Sequence, residues 1–122
     1  MTVSIPQEDM SHKVDTNKYL NFVSGVTSQP SQDTEAMIYR LQELSGSGAQ
    51  PERLMTAAVG LCAESGEFTE IVKKMVFQGK PYNEENVFHM KRELGDVFWY
   101  LAQACIALDT TFDEVLEMNV DK

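Results

Sequence analysis

The chain has 122 residues, 43% of them hydrophobic, and its 10 Lys and Arg against 19 Asp and Glu give a formal net charge of −9. That length is one domain's worth, and that charge excludes a nucleic-acid backbone or an anionic membrane surface as the main partner. A phosphate substrate would also be repelled unless cations neutralised its site.

Residues 1–13 are polar and patternless and read as a flexible tail, which leaves 14–122 as a single helical domain. Between 17 and 27, Tyr19, Leu20, Phe22, Val23 and Val26 recur at helical spacing, and Ser28-Gln29-Pro30-Ser31 then breaks the pattern. A second helix is expected over 33–44, with Met37, Ile38, Leu41 and Leu44 on one face. The Ser/Gly-rich stretch 45–51 is a flexible connector. A long third helix over 52–77 is closed by Gln78-Gly79-Lys80-Pro81, with Gly just past its end and Pro beyond. A fourth helix is expected over 84–108. Thr111-Phe112-Asp113-Glu114 is a capping-box pattern opening a fifth. That helix is still in progress at Lys122 with no stop signal, so the native chain is expected to extend further. No repeat and no strand alternation appear. The expected fold is all-α, like a four-helix bundle, with an extra N-terminal helical segment.

Cys62 and Cys105 fall inside helical patterns with no C-x-x-C spacing and read as reduced, partly buried thiols. The absence of a leader pattern and of a long apolar run points to the cytoplasm, the host's if the chain is phage-encoded.

Two acidic pairs stand out: Glu64-x-x-Glu67 on the third helix and Glu93-x-x-Asp96 on the fourth. At about 100° per residue, with Glu64 as zero, Leu54, Ala57, Leu61, Phe68, Ile71, Val72 and Met75 fall in an arc from about −20° to +80°. Glu64 therefore lies within the apolar face, and Glu67, near about −60°, on its border. With Glu93 as zero, Met90, Leu94, Val97, Tyr100, Leu101, Ala104 and Leu108 span about −20° to +100°, and Asp96 again sits near about −60°. Packed antiparallel, two such helices bring four carboxylates together. A buried carboxylate needs a partner, and neither helix places Lys or Arg at the required angle. An oxygen-only donor set favours a hard cation such as Mg²⁺ or Mn²⁺. The competing di-iron pattern needs Glu-x-x-His, which His89, four residues before Glu93, does not satisfy; His12 lies in the tail. The plain alternative is solvated surface charge on an acidic helical adaptor for a basic partner.

Gly60-Leu61-Cys62-Ala63-Glu64-Ser65-Gly66-Glu67-Phe68-Thr69-Glu70-Ile71-Val72-Lys73-Lys74 and Glu93-Leu94-Gly95-Asp96-Val97-Phe98-Trp99-Tyr100-Leu101-Ala102 resemble the MazG-type branch of the all-α nucleoside triphosphate pyrophosphohydrolases. The similarity covers about residues 52–122. The whole chain most resembles the small single-domain form carried by phages, cyanophages in particular. Ala63 departs from the commoner form of the first block, which has an acid there. The resemblance implies hydrolysis of (d)NTPs to the monophosphate and pyrophosphate with Mg²⁺ or Mn²⁺. It implies Glu64, Glu67, Glu93 and Asp96 as metal ligands, with Glu64 or Glu67 as proton acceptor for an attacking water. It also implies Tyr100 facing the nucleotide and Asn119 and Lys122 contacting phosphates. A hydrolase directed at dUTP, dCTP or an alarmone belongs to the same superfamily.

Lys73 and Lys74 suit the C-terminal end of the helix macrodipole, and Lys74 is also a candidate phosphate contact. Trp99, Phe88 and Ile106 project from the outer side of the fourth helix. A helix apolar on nearly all sides needs burial on all sides, so a homo-oligomer is expected, and the resemblance implies a dimer or tetramer.

Overall fold

A computed structural model describes residues 13–122, so all of the expected tail over 1–13 except Lys13 lies outside the described residues. The chain falls into two compact units, one ending at Arg40 and the other running from Leu41 to Lys122.

In the first unit, helix α1 spans Thr16–Val26. The Asp15 carboxylate caps it, accepting the Lys18 N–H at 3.0 Å. At its other end the Gln32 side-chain amide donates to the carbonyls of Ser24 (3.2 Å) and Thr27 (2.9 Å), satisfying groups that a helix terminus leaves open. A short 3₁₀ turn over Gln29–Ser31 occupies the expected break, with Pro30 in its first turn. Helix α2, Thr34–Gly46, begins in this unit and ends in the second. The apolar face read for the first helix is real but uncovered: Tyr19, Leu20, Phe22, Val23 and Val26 are all exposed.

The second unit is built on two long helices. Helix α3, Pro51–Phe77, starts with Pro at its first position, where the missing N–H costs nothing. Helix α4, Glu84–Ala107, is capped by Asn83, whose side chain accepts the Asn86 N–H at 2.9 Å, and carries Glu84 and Glu85 in its first turn. Gly79 takes φ +70°, a conformation that favours glycine, and lets the chain reverse between them. The two pack antiparallel. Arg53 donates to Gln103 across the pair at 2.7 Å, and further along Gly60 meets Tyr100.

Gly60 sets the closeness of this pairing. It is buried, and a Cβ built there would collide with the Tyr100 ring. Helix α5, Phe112–Val120, joins through the Phe98–Phe112 edge contact, with centroids 6.4 Å apart. Thr111 caps it as expected. The Glu114 carboxylate, however, accepts from the Thr110 hydroxyl rather than closing the box on the cap's own N–H. The helix stops at Val120, not at or beyond Lys122. The Asp121 N–H still donates to the Glu117 carbonyl at 2.9 Å, closing the last turn.

The all-α architecture read from the sequence holds: the described elements are five α-helices and one 3₁₀ turn. Every residue of the α3 apolar arc is buried or half-buried. On α4, Leu94 and Leu108 are exposed. Leu94 lies at the far edge of its arc, and Leu108 is the C-cap, beyond the paired length. Cys105 is half-buried, but Cys62 is exposed, correcting the expectation for that thiol, because it projects from the side of α3 opposite Glu64.

Candidate metal centre

The pairing of α3 with α4 carries Glu64 and Glu67 to Glu93. One carboxylate oxygen from each can be chosen so that all three lie within 4.8 Å of one another. Glu64 and Glu93 are half-buried and Glu67 is exposed, matching the inner and border positions read on the helical wheel. Asp96 is exposed and falls outside that group of three, although its charge still acts on Glu67 and Glu93.

The electrostatics are those of like charges held together. The Glu67 carboxyl is raised above its ordinary 4.5, first by its contact with the Glu93 carboxylate, which favours a shared proton, then by Glu93's charge. Glu93 is raised above 4.5 as well, first by contact with Glu64 and then by burial. Glu64 Oε2 and Glu93 Oε2 are buried with no hydrogen-bond partner. Two orphaned carboxylate oxygens in a cluster of three are what a divalent cation would satisfy, and an all-oxygen donor set fits Mg²⁺ or Mn²⁺. The residues therefore fit a hard cation held between the two helices.

The remaining sequence candidates divide. Tyr100 lies on α4 one turn beyond Asp96, with its ring against Gly60, which is itself one turn before Glu64. It is also in edge contact with Trp99, with ring centroids 5.1 Å apart. Asn119 lies in the last turn of α5 and Lys122 just beyond its end, and both are exposed.

At the opposite end, a cleft of about 480 Å³ opens from Glu93 toward the α3–α4 turn. Ile71, Lys74 and Lys80 line it with Asn83, Asn86 and His89. The sequence reading named Lys74 but missed Lys80, Asn83, Asn86 and His89 as cleft residues. Their common signal was position within one or two helical turns of the α3–α4 reversal.

Residues 52–122 match the family described as the MazG nucleotide pyrophosphohydrolase domain. The chain is also 36% identical over 72 residues to the Gene 37 protein of Mycobacterium phage L5, an alignment covering 58% of this chain and 63% of that relative's own length. No solved structure is a significant match.

Proposed function

Since the chain belongs to the MazG nucleotide pyrophosphohydrolase domain family, we propose that it hydrolyses (d)NTPs to the monophosphate and pyrophosphate at the Glu64–Glu67–Glu93 cluster. The observation that carries this reading is the pair of buried, unpartnered oxygens on Glu64 and Glu93, which face each other's helix within a group of three carboxylates. A helical adaptor using solvated charge has no need to bury them.

Glu64, Glu67 and Glu93 would hold Mg²⁺ or Mn²⁺, with Asp96 completing the acidic set. When bound, such a cation neutralises phosphate charge and makes a water it holds more acidic. Glu64 or Glu67 would accept the proton of a water attacking the α-phosphorus. The bond from the α-phosphorus to the bridging oxygen breaks, and its electron pair leaves with pyrophosphate. Tyr100, packed against Gly60 one turn before Glu64, is assigned to the nucleotide's side of the cluster by family likeness. Asn119, on α5, and Lys122, just past its end, are assigned to phosphate contact by family likeness.

A homo-oligomer is part of this proposal. Among hydrophobic side chains in the described residues only Ala57 and Ala107 are fully buried, whereas Phe98, Trp99 and Ile106 on α4 are more than half exposed. A chain of this size does not leave such a surface to water without cause. No described helix is long and apolar enough to cross a membrane, so another copy of the chain is the simplest cover.

The test is a panel of NTPs and dNTPs with Mg²⁺ or Mn²⁺ and chromatographic separation of products. Monophosphate and pyrophosphate in equal amounts support the reading. Diphosphate with orthophosphate, or undiminished turnover in excess chelator, overturns it.

A further inference from the structure

The cleft beside Glu93 brings two lysines together in a chain that is otherwise strongly acidic. Its volume, about 480 Å³, lies within the range of roughly 300–1,000 Å³ usual for small-molecule sites. Lys74 comes from the last turn of α3 and Lys80 from the turn that follows. One backbone bond ties them together: the Lys80 N–H donates to the Lys74 carbonyl at 3.1 Å, made possible by Gly79 at φ +70°. Neither ammonium forms an ion pair among the described residues, although the chain carries 19 acids. By contrast, the neighbouring Lys73 is paired with Glu70 at 3.1 Å.

The acids that face the cleft are Glu85 and Glu93. Glu85 lies 3.7 Å from His89, and Glu93 belongs to the carboxylate cluster. Neither acid forms an ion pair with Lys74 or Lys80. Asn83 already spends its side-chain oxygen on the α4 cap, and Asn86 donates to the Pro81 carbonyl at 2.6 Å, so both are rigid walls rather than free arms. The cleft thus presents two exposed ammonium groups beside a fixed polar rim. About 10 Å of helix rise separates Lys74 from Glu67, and the long lysine stem can reach back along that path.

We propose that this cleft holds the β- and γ-phosphates of the nucleotide on Lys74 and Lys80, so that pyrophosphate departs toward the α3–α4 turn. The assignment rests on the pyrophosphohydrolase reading above and adds to it the direction in which the triphosphate lies. The nucleoside then occupies the opposite side of the carboxylate cluster, toward Tyr100. Two point charges without acidic partners suit a polyphosphate and give a base or ribose no directional contact.

The experiment compares the full chain with Lys74→Gln, Lys80→Gln, the double variant and, as a control, Lys73→Gln. Each is assayed for KM and for inhibition by the two products, inorganic pyrophosphate and nucleoside monophosphate, after circular dichroism has verified its helicity. Removing one charge-assisted contact should raise the inhibition constant for pyrophosphate, and KM, by about tenfold, with a larger effect in the double variant. The constant for the monophosphate should move less than about twofold, and Lys73→Gln should leave all three unchanged. Unshifted pyrophosphate inhibition in a double variant that turns over substrate overturns the proposal. So does a rise confined to the monophosphate, which would put the nucleoside in the cleft. Absence of turnover by the wild-type chain with either metal sinks the underlying reading instead.

Discussion

Glu64 and Glu93, on facing helices, each bury one carboxylate oxygen that meets no hydrogen-bond donor. Each acid sits at the inner edge of its helix's apolar face, so the packing that buries the neighbouring side chains also drives the two carboxylates together. Contact with Glu64 and burial raise the Glu93 carboxyl above its ordinary 4.5. A divalent cation turns the same geometry from unfavourable to favourable, and four consequences can be measured.

The first concerns the acid at the border. Glu67 is exposed, so Glu67→Gln removes a charge without opening a cavity. Turnover should fall at least about a hundredfold, the usual scale for loss of a proton acceptor, while the far-ultraviolet dichroism stays helical. Retention of wild-type activity would remove Glu67 from the chemistry.

The second is the pH dependence of the cation-free protein. Glu67 and Glu93 both have folded-state pKa values raised above 4.5. The folded chain therefore keeps protons that the unfolded chain has already lost. The stability these groups contribute is fully present below 4.5 and is lost as pH rises through the raised values. The double variant Glu67→Gln/Glu93→Gln, which mimics the protonated pair, should gain on wild type as pH climbs from about 4 to 7 in chelator. Urea denaturation at several pH values measures that gap, and a gap independent of pH would refute the crowding. Cation binding should also release protons, visible as a calorimetric heat that changes with the buffer.

The third tests the helix contact. In most helices Gly→Ala gains about 1 kcal/mol from helix propensity. At Gly60 the added methyl collides with Tyr100, and overpacking of this kind costs about 1–3 kcal/mol. Gly60→Ala should therefore lower the melting temperature and spread the carboxylates apart. An increase in melting temperature would mean that α3 and α4 are not in close contact at this point.

The fourth concerns the uncovered surface. Trp99 is 56% exposed and Phe98 60%, and a large aromatic side chain in an interface carries at least about 2 kcal/mol of association. Trp99→Glu should weaken self-association by at least about thirtyfold, read by sedimentation equilibrium. A wild-type chain that sediments as a monomer at all concentrations would refute the oligomer.

The helices and the inner acids were legible in the sequence because 3.6-residue periodicity leaves a strong trace over helices of 27 and 24 residues. The wheel put Glu64 inside the apolar face and Glu67 at its rim, and their exposure follows that order. The cleft was less legible. Lys80, Asn83 and His89 converge only through the reversal at Gly79, and a periodic pattern carries no information about how a turn folds. Gly60 was seen as part of a motif, but its role depends on a partner forty residues away that a wheel of one helix cannot show. The exposure of Leu94 and Leu108 has the same origin, since an apolar arc indicates which face wants cover and not how far the neighbouring helix extends.

The most direct test is Mn²⁺ binding followed by electron paramagnetic resonance at neutral pH, comparing the full chain with Glu64→Gln, Glu93→Gln and the double variant. The free-ion signal should be quenched by the wild-type chain. Each single variant should weaken binding by at least about tenfold, the loss of one ligand from a small oxygen set, and the double variant should leave the signal unquenched. Equal quenching by wild type and the double variant would mean that the two buried oxygens hold no cation, and the account of the centre would fail.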